Sequence, residues 1–392
     1  NGKKLVSFYL PTFYPFHEND KFWGNGFTEW DNVRSAKPVY DGHKLTCHPH
    51  EDIGYYDMNL DTLRKQQAMA KKYGIDGWCI YHYWFMGREP ITKVTNLIME
   101  NPELDLPFCL MWCNEHWRRN WDGKPNDILI NQEYREEDFV YFIRRMIPFF
   151  RDDRYIKIDE RPVLMVYRGD APMDAAPYIW RKECLDAGLP EPFLMHRTIA
   201  GRGEQFFEDL SILKNWDATF EFSPHGILSK DEGVEGLYRT KSYTSAMACS
   251  EFRLPNQRFF GSICCGWDNS PRLGKKFPLI IPDASPELFA VWLERLTTKA
   301  NGEIVFINAW NEWGESACLE PSTAHGYGYL EALKMPPQDQ RINDSWVQFQ
   351  GVMCYWSGEQ ARWSGDMDSA KKYWNDGAKL GNKDCQEELS RT

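Results

Sequence analysis

Glu312 and Glu315 stand three residues apart in the run Trp310-Asn311-Glu312-Trp313-Gly314-Glu315, with Glu320 close behind. Two carboxyl groups that project into one cleft can cleave a glycosidic bond. One stays protonated to assist the leaving oxygen and the other, ionised, acts as nucleophile or base, roughly 5 to 9 Å away. Trp310 and Trp313 would supply apolar walls that raise one pKa and keep that carboxyl protonated near neutrality. On spacing alone a plainer explanation is favoured: a surface glutamate pair at a helix start, with Asn311 as its cap.

What changes the balance is the set of elements that must position them. Short β-rich apolar runs at 5–10, 77–83, 108–113, 162–167, 193–197, 218–222, 259–265 and 303–309 alternate with stretches of helical periodicity. Among the helices, 61–72 places Leu60, Leu63, Gln67 and Ala70 on one face and ends at Gly74, a residue suited to a C-cap. Eight strands in βα order predict a closed (β/α)8 TIM barrel, whose active site forms at the strand ends and the loops that follow them. Those positions are rich in rings and polar groups: Tyr14, Trp23, Glu29 and Trp30 after the first strand; Tyr81, His82, Tyr83 and Trp84 at the second; Asn114, Glu115, His116, Trp117 and Arg118 after the third. Tyr167, His196-Arg197, Glu221 and Trp267-Asp268 follow, and the last strand leads into the glutamate run. Each has a bland explanation singly, but packing does not need so many polar groups at one end of a barrel. Glu29 and Glu115 compete for a catalytic role, since either could replace one member of the pair.

The 392 residues suit one large barrel, placed at 1–335, with a helical segment at 336–392 that contains one unit similar to a Sel1 or tetratricopeptide hairpin. The aromatic share of 15%, with 17 Trp, fits a sugar-binding cleft, where ring faces stack on pyranose C–H faces. A net charge of −11 argues against nucleic acid or an anionic membrane as partner, and no apolar run is long enough for a membrane span. The partner expected is an oligosaccharide or polysaccharide; oligomeric state is not legible. Eleven Cys without zinc spacing read as mostly buried thiols; His43, His48 and His50 near Cys47 lack a regular ligand set, so no metal or cofactor is expected. The first residues, Asn1 to Lys4, run into a strand without a signal-peptide core, which is compatible with a processed periplasmic or cell-surface bacterial protein or with a cytoplasmic one.

Longer motifs carry a resemblance. Phe8-Tyr9-Leu10-Pro11, Trp23-Gly24 with Gly26-Phe27-Thr28-Glu29-Trp30, Asp52-Ile53-Gly54-Tyr55-Tyr56-Asp57, Tyr81-His82-Tyr83-Trp84-Phe85, Trp112 with Asn114-Glu115 and Trp117, and Asn308 to Glu315 resemble the WbsX family, also called the glycoside hydrolase family 99-like domain. The likeness covers roughly residues 4 to 335. It implies a (β/α)8 barrel that cleaves α-linked glycosidic bonds in a mannan-like or other bacterial polysaccharide with retention of configuration. In that scheme Glu312 takes a proton from the sugar 2-hydroxyl, that oxygen displaces the aglycon to give a 1,2-anhydro sugar, and Glu315 is the acid/base. Gly314 departs from the family 99 pattern, where His is expected. The WbsX label itself points to the alternative, a glycosyltransferase of O-antigen or capsule biosynthesis. A sugar-binding scaffold is a third reading, which leaves two clustered glutamates without a purpose.

Overall fold

A computed structural model describes residues 2–119, 124–197, 215–225, 233–234, 237–252, 259–300 and 302–392. Eight parallel strands form the centre: β1 (Lys4–Tyr9), β2 (Gly77–His82), β3 (Phe108–Trp112), β4 (Arg161–Val166), β5 (Phe193–Arg197), β6 (Ala218–Phe220), β7 (Phe259–Phe260 continuing as Ser262–Cys264) and β8 (Ile304–Asn308). They pair in sequence order, and β8 returns to β1 with Lys4 opposite Ile304. The ring is completed by β7, whose first half pairs with β6 through Phe259 and Thr219 and whose second half pairs with β8 through Ser262 and Phe306. Gly261 separates the halves. A Cβ there would stand 2.6 Å from Leu296 Cδ1, so glycine lets the helix Pro286–Lys299 pack directly on the strand. All eight expected strands are present, and the protein is a TIM barrel. Tyr83, Cys113 and Tyr167, read as strand ends, lie one step beyond their ladders.

The period-two alternation of each strand sorts the rings into two sets. Phe8, Tyr81, Phe220 and Phe306 point into the barrel, with Phe8 stacked on Phe306 at 5.3 Å between centroids and Phe222 joining it at 4.8 Å. Tyr9, Trp78, His82 and Trp112 point outward to the helices; Trp112 stacks on Phe142 of the helix Glu136–Phe150 at 4.4 Å. Each fully buried ring of this kind contributes about 1.5–3 kcal/mol.

The helix Leu60–Tyr73 begins where Asn59 accepts the Thr62 N–H and ends at Gly74, with φ 89°, as its periodicity suggests. Its buried glutamine is Gln66, which accepts the Tyr9 hydroxyl at 2.6 Å, while the expected Gln67 is only partly covered. After the barrel come helices Asn343–Trp363, Met367–Lys379 and Lys383–Arg391, which enclose a small core of Ala370, Trp374 and Cys385. Nine of the eleven cysteines are buried, and all are free thiols. No helix among the described residues is long and apolar enough to cross a membrane.

Candidate active site

The loop after β8 is a tight antiparallel hairpin: Asn311–Glu312 pairs with Ala317–Cys318 across the 3-10 turn Trp313–Glu315, and Ser316 takes the left-handed conformation with φ 54°. This turn brings Glu312 and Glu315 to one side. Asn311 does not cap it. Its side chain accepts the Leu10 N–H at 2.8 Å and donates to the Leu10 carbonyl at 2.9 Å, tying the end of β1 to the glutamate loop.

The centre of the site is Arg272, on the short helix Ser270–Leu273 after β7. Its Nε donates to Glu29 at 2.6 Å, one terminal nitrogen to Glu312 at 3.0 Å, and the other to Glu315. Two carboxylates on one guanidinium fork are close neighbours, as a pair acting on a single glycosidic bond must be. Glu29 enters as the first residue of the helix Glu29–Ser35, whose start is secured by Asp31 accepting the Thr28 N–H at 2.9 Å.

Asp268 aligns the Arg272 helix. One of its oxygens accepts the Ser270 N–H at 2.9 Å, the other accepts from His43 Nε2 at 2.8 Å, and its own N–H donates to the Glu315 carbonyl at 2.8 Å. Because His43 Nδ1 accepts the Val39 N–H at 3.0 Å, the imidazole hydrogen resides on Nε2 and points at Asp268.

Gly314 follows from this packing. A Cβ at that position would stand 1.7 Å from Glu29 Oε1 and 2.7 Å from Arg272 Nε, so the Glu29–Arg272 pair occupies the space of any side chain there. Burial, then the charge of Glu312, push Glu315 up to about 8 against the pull of Arg272. Burial also raises Glu29, against the same guanidinium. Although burial works against it, Arg272 is held charged by Glu29, Glu315 and Glu312. Behind this cluster burial pushes Glu320 up to about 8, with the Tyr56 hydroxyl donating to it at 2.5 Å.

The carboxylates face a cleft of about 210 Å³ lined by Phe16, Glu29, Tyr83, Phe85, Glu115, His116, Trp117, Arg118, Arg272 and Glu312. Of the residues singled out in the sequence, Glu29, Tyr83, Glu115, His116, Trp117, Arg118 and Glu312 line it directly and Glu315 adjoins it through Arg272. Tyr167 stands on the opposite rim at the end of β4. Trp267 lines a separate cavity of about 470 Å³ with Tyr40, His43 and Tyr329.

The other candidates support the mouth from behind. Trp84 donates to both Asp138 oxygens, at 3.0 and 2.9 Å, and His82 is buried beside Phe142. Trp30 donates to the Tyr56 carbonyl at 2.7 Å and packs on Trp313, while Trp310 meets Trp78 edge-on at 4.7 Å. Asn114 clasps the Arg168 backbone with two 2.8 Å bonds, linking the loops after β3 and β4. Tyr81 is interior, Tyr14 packs on Phe16, and Trp23 packs on Phe27.

Sequence reasoning missed Arg272. The available signal was indirect: three carboxylates in one dry cleft require a cation, and the loop after β7 supplies it. Among the described residues no group of three or more His, Cys, Asp or Glu side chains is arranged to hold a metal ion.

A barrel with a carboxylate cluster at the C-terminal mouth defines the class. The chain belongs to the family described as Glycosyltransferase WbsX, whose model matches residues 5–333. It is 35% identical over 350 residues to proteins named Uncharacterized protein WxcX from two strains of Xanthomonas campestris pv. campestris, covering 84% of this chain and 49% of theirs. The chain thus spans about half the length of these curated relatives. Among solved structures it is similar to a glycoside hydrolase-like protein (TM-score 0.56, 13% identity, 85% of this chain and 93% of that one). It is also similar to the GH99 endo-alpha-mannosidase from Bacteroides thetaiotaomicron (TM-score 0.51, 12% identity, 89% and 98%). At these identities the likeness concerns the fold.

Proposed function

We propose that the chain is a retaining glycoside hydrolase that cleaves α-linked bonds in a bacterial polysaccharide or mannan-like glycan. The observation that carries this reading is Glu315, pushed up to about 8 beside Glu312, with both on one guanidinium in the barrel mouth. A carboxyl that keeps its proton near neutrality is what protonation of a leaving oxygen requires.

In the proposed sequence Glu312 removes the proton of the 2-hydroxyl, O2 forms a bond to C1, and the C1–aglycon bond breaks as Glu315 gives its proton to the departing oxygen. Water then attacks C1 of the 1,2-anhydro sugar, losing a proton to Glu315, while O2 recovers its proton from Glu312. Two inversions at C1 give net retention. O2 must approach from the face opposite the aglycon, so the sugar must be 1,2-trans. Arg272 keeps the two carboxylates in register, and Glu29 holds Arg272. A periplasmic or cell-surface location suits the substrate proposed, with the cytoplasm as the alternative that fractionation would reveal.

A panel of α-linked bacterial and fungal polysaccharides, with products followed by mass and NMR, tests the reading. The expected result is release of α-configured reducing ends, lost by a factor of about 10² or more in Glu312→Gln and Glu315→Gln. The family description favours a second reading, a glycosyltransferase acting through the same mouth. Consumption of lipid-linked or nucleotide-activated donors, with no polysaccharide cleaved, would replace the first reading with the second.

A further inference from the structure

Across the barrel mouth from the carboxylates, at the end of β5, stands an arginine of the opposite character. Arg197 donates from one terminal nitrogen to the Tyr167 hydroxyl at 2.7 Å, and its guanidinium carbon lies 3.8 Å from the Tyr167 ring centroid. This side chain is partly buried, and its Nε, shielded from solvent, has no hydrogen-bond partner among the described residues. No carboxylate among those residues lies within salt-bridge distance of it, whereas other arginines on this side of the barrel are paired: Arg168 with Asp170 at 2.7 Å and, at the far end of β4 and β5, Arg161 and Arg181 with Asp217 at 2.8 and 3.0 Å.

A guanidinium partly withdrawn from water, with no counter-ion among the described residues, is costly, and a fork stacked on a tyrosine with a donor unspent there is pre-arranged for an oxyanion. Strands β4 and β5 lie opposite β8 and β1 in the ring, so the two charges face each other over the mouth. The path between them is short and aromatic: Tyr167 meets Phe222 at 5.4 Å, Phe222 meets His225 at 5.9 Å, and His225 meets Trp267 at 4.8 Å, beside the Asp268 that bonds Glu315. Glu115, the other acid near this rim, is turned to Arg168 at 3.8 Å.

We infer that Arg197, stacked on Tyr167, is the binding site for an acidic substituent of the glycan, a carboxylate or a phosphate on a sugar near the one held by Glu312 and Glu315. The inference rests on the glycan-cleaving reading for its placing of the substrate, and its test does not require cleavage. With the full chain, binding of glucuronic acid, glucose 6-phosphate and glucose is measured by ligand-observed NMR in the wild type, Arg197→Gln, Arg197→Lys and Tyr167→Phe.

The wild type should bind at least one acidic sugar roughly tenfold to a hundredfold more tightly than glucose, the worth of one charge-assisted hydrogen-bond pair. The uronic acid and the phosphate arms say which oxyanion is preferred. Arg197→Gln should abolish the preference, Arg197→Lys should retain part of it, and rising salt should weaken it. Equal affinity for glucose and both acids, or an acid preference unchanged in a folded Arg197→Gln protein, would overturn the inference. If the polysaccharide panel shows no cleavage and the Arg197-dependent preference persists, the hydrolase reading fails and the acidic-sugar site stands.

Discussion

The two sides of the barrel mouth solve the problem of a buried charge in opposite ways. On the side of β7, β8 and β1, three carboxylates converge on Arg272, and each of its three nitrogens donates to an acid. On the side of β4 and β5, Arg197 meets a hydroxyl and a ring. The first arrangement is internally compensated and fixes geometry. The second leaves affinity to be used. Groups that must hold a geometry are saturated within the protein, and groups available to a ligand are not.

The largest effect that would test this contrast is at Arg272. Arg272→Met leaves three carboxylates without their cation, and urea denaturation should register a loss of about 3–5 kcal/mol, with activity lost as well. Arg197→Met removes no ion pair among the described residues and should cost less than about 1.5 kcal/mol in the same experiment. Equal losses would erase the distinction between the two sides.

Gly314→Ala comes next. The added methyl occupies the place of Glu29 Oε1, so the expected cost is about 1–3 kcal/mol of stability, with a shifted Arg272. Combined with Glu29→Ala it should be strongly non-additive, because the second change vacates the space the first one needs. Additive losses would mean that the two residues do not compete for one volume.

The sides also differ in their response to pH. Glu315 and Glu320 are both pushed up to about 8, so between about 4.5 and 8 these two groups hold protons in the folded chain that they release in the unfolded one. Their contribution to stability is greatest at the acidic end of that window and falls as pH rises through it, while the depressed imidazoles of His82 and His225 act in the opposite sense below about 6.5. Compared with the wild type, Glu320→Gln should remove on the order of 1–3 kcal/mol of that decline across the window, whereas Arg197→Gln, which only relieves part of the pressure on His225, should change the pH dependence less. The smallest effect belongs to Tyr167→Phe, which removes one hydrogen bond at the rim and should change stability by roughly 0.5–1.5 kcal/mol, read by thermal unfolding.

Much of this molecule was legible in the residues. The eight β-rich runs and the helical stretches between them fixed a parallel barrel, because strand and helix periodicities are local properties of the chain. The glutamate run stood out as a candidate site, and Glu29 and Glu115, weighed beside it, line the same cleft as Glu312. What local pattern could not rank were the rings: Tyr81 and His82 are adjacent, yet one points into the barrel and the other into a helix, since the register of β2 decides which face each takes.

The long-range partners were invisible for a related reason. Asn311 looked like a helix cap and instead clasps Leu10, 301 residues away, and Gly314 looked like a departure from pattern until Glu29 filled its space. Nothing near Arg272 or Arg197 in the chain says that one is bound by three acids and the other by none among the described residues. The sequence by itself determined the elements, their order and the pair of glutamates. Closure of the barrel decided the rest, because it brings the ends of distant strands within hydrogen-bond distance, and only there is it settled which charges are compensated and which await a ligand.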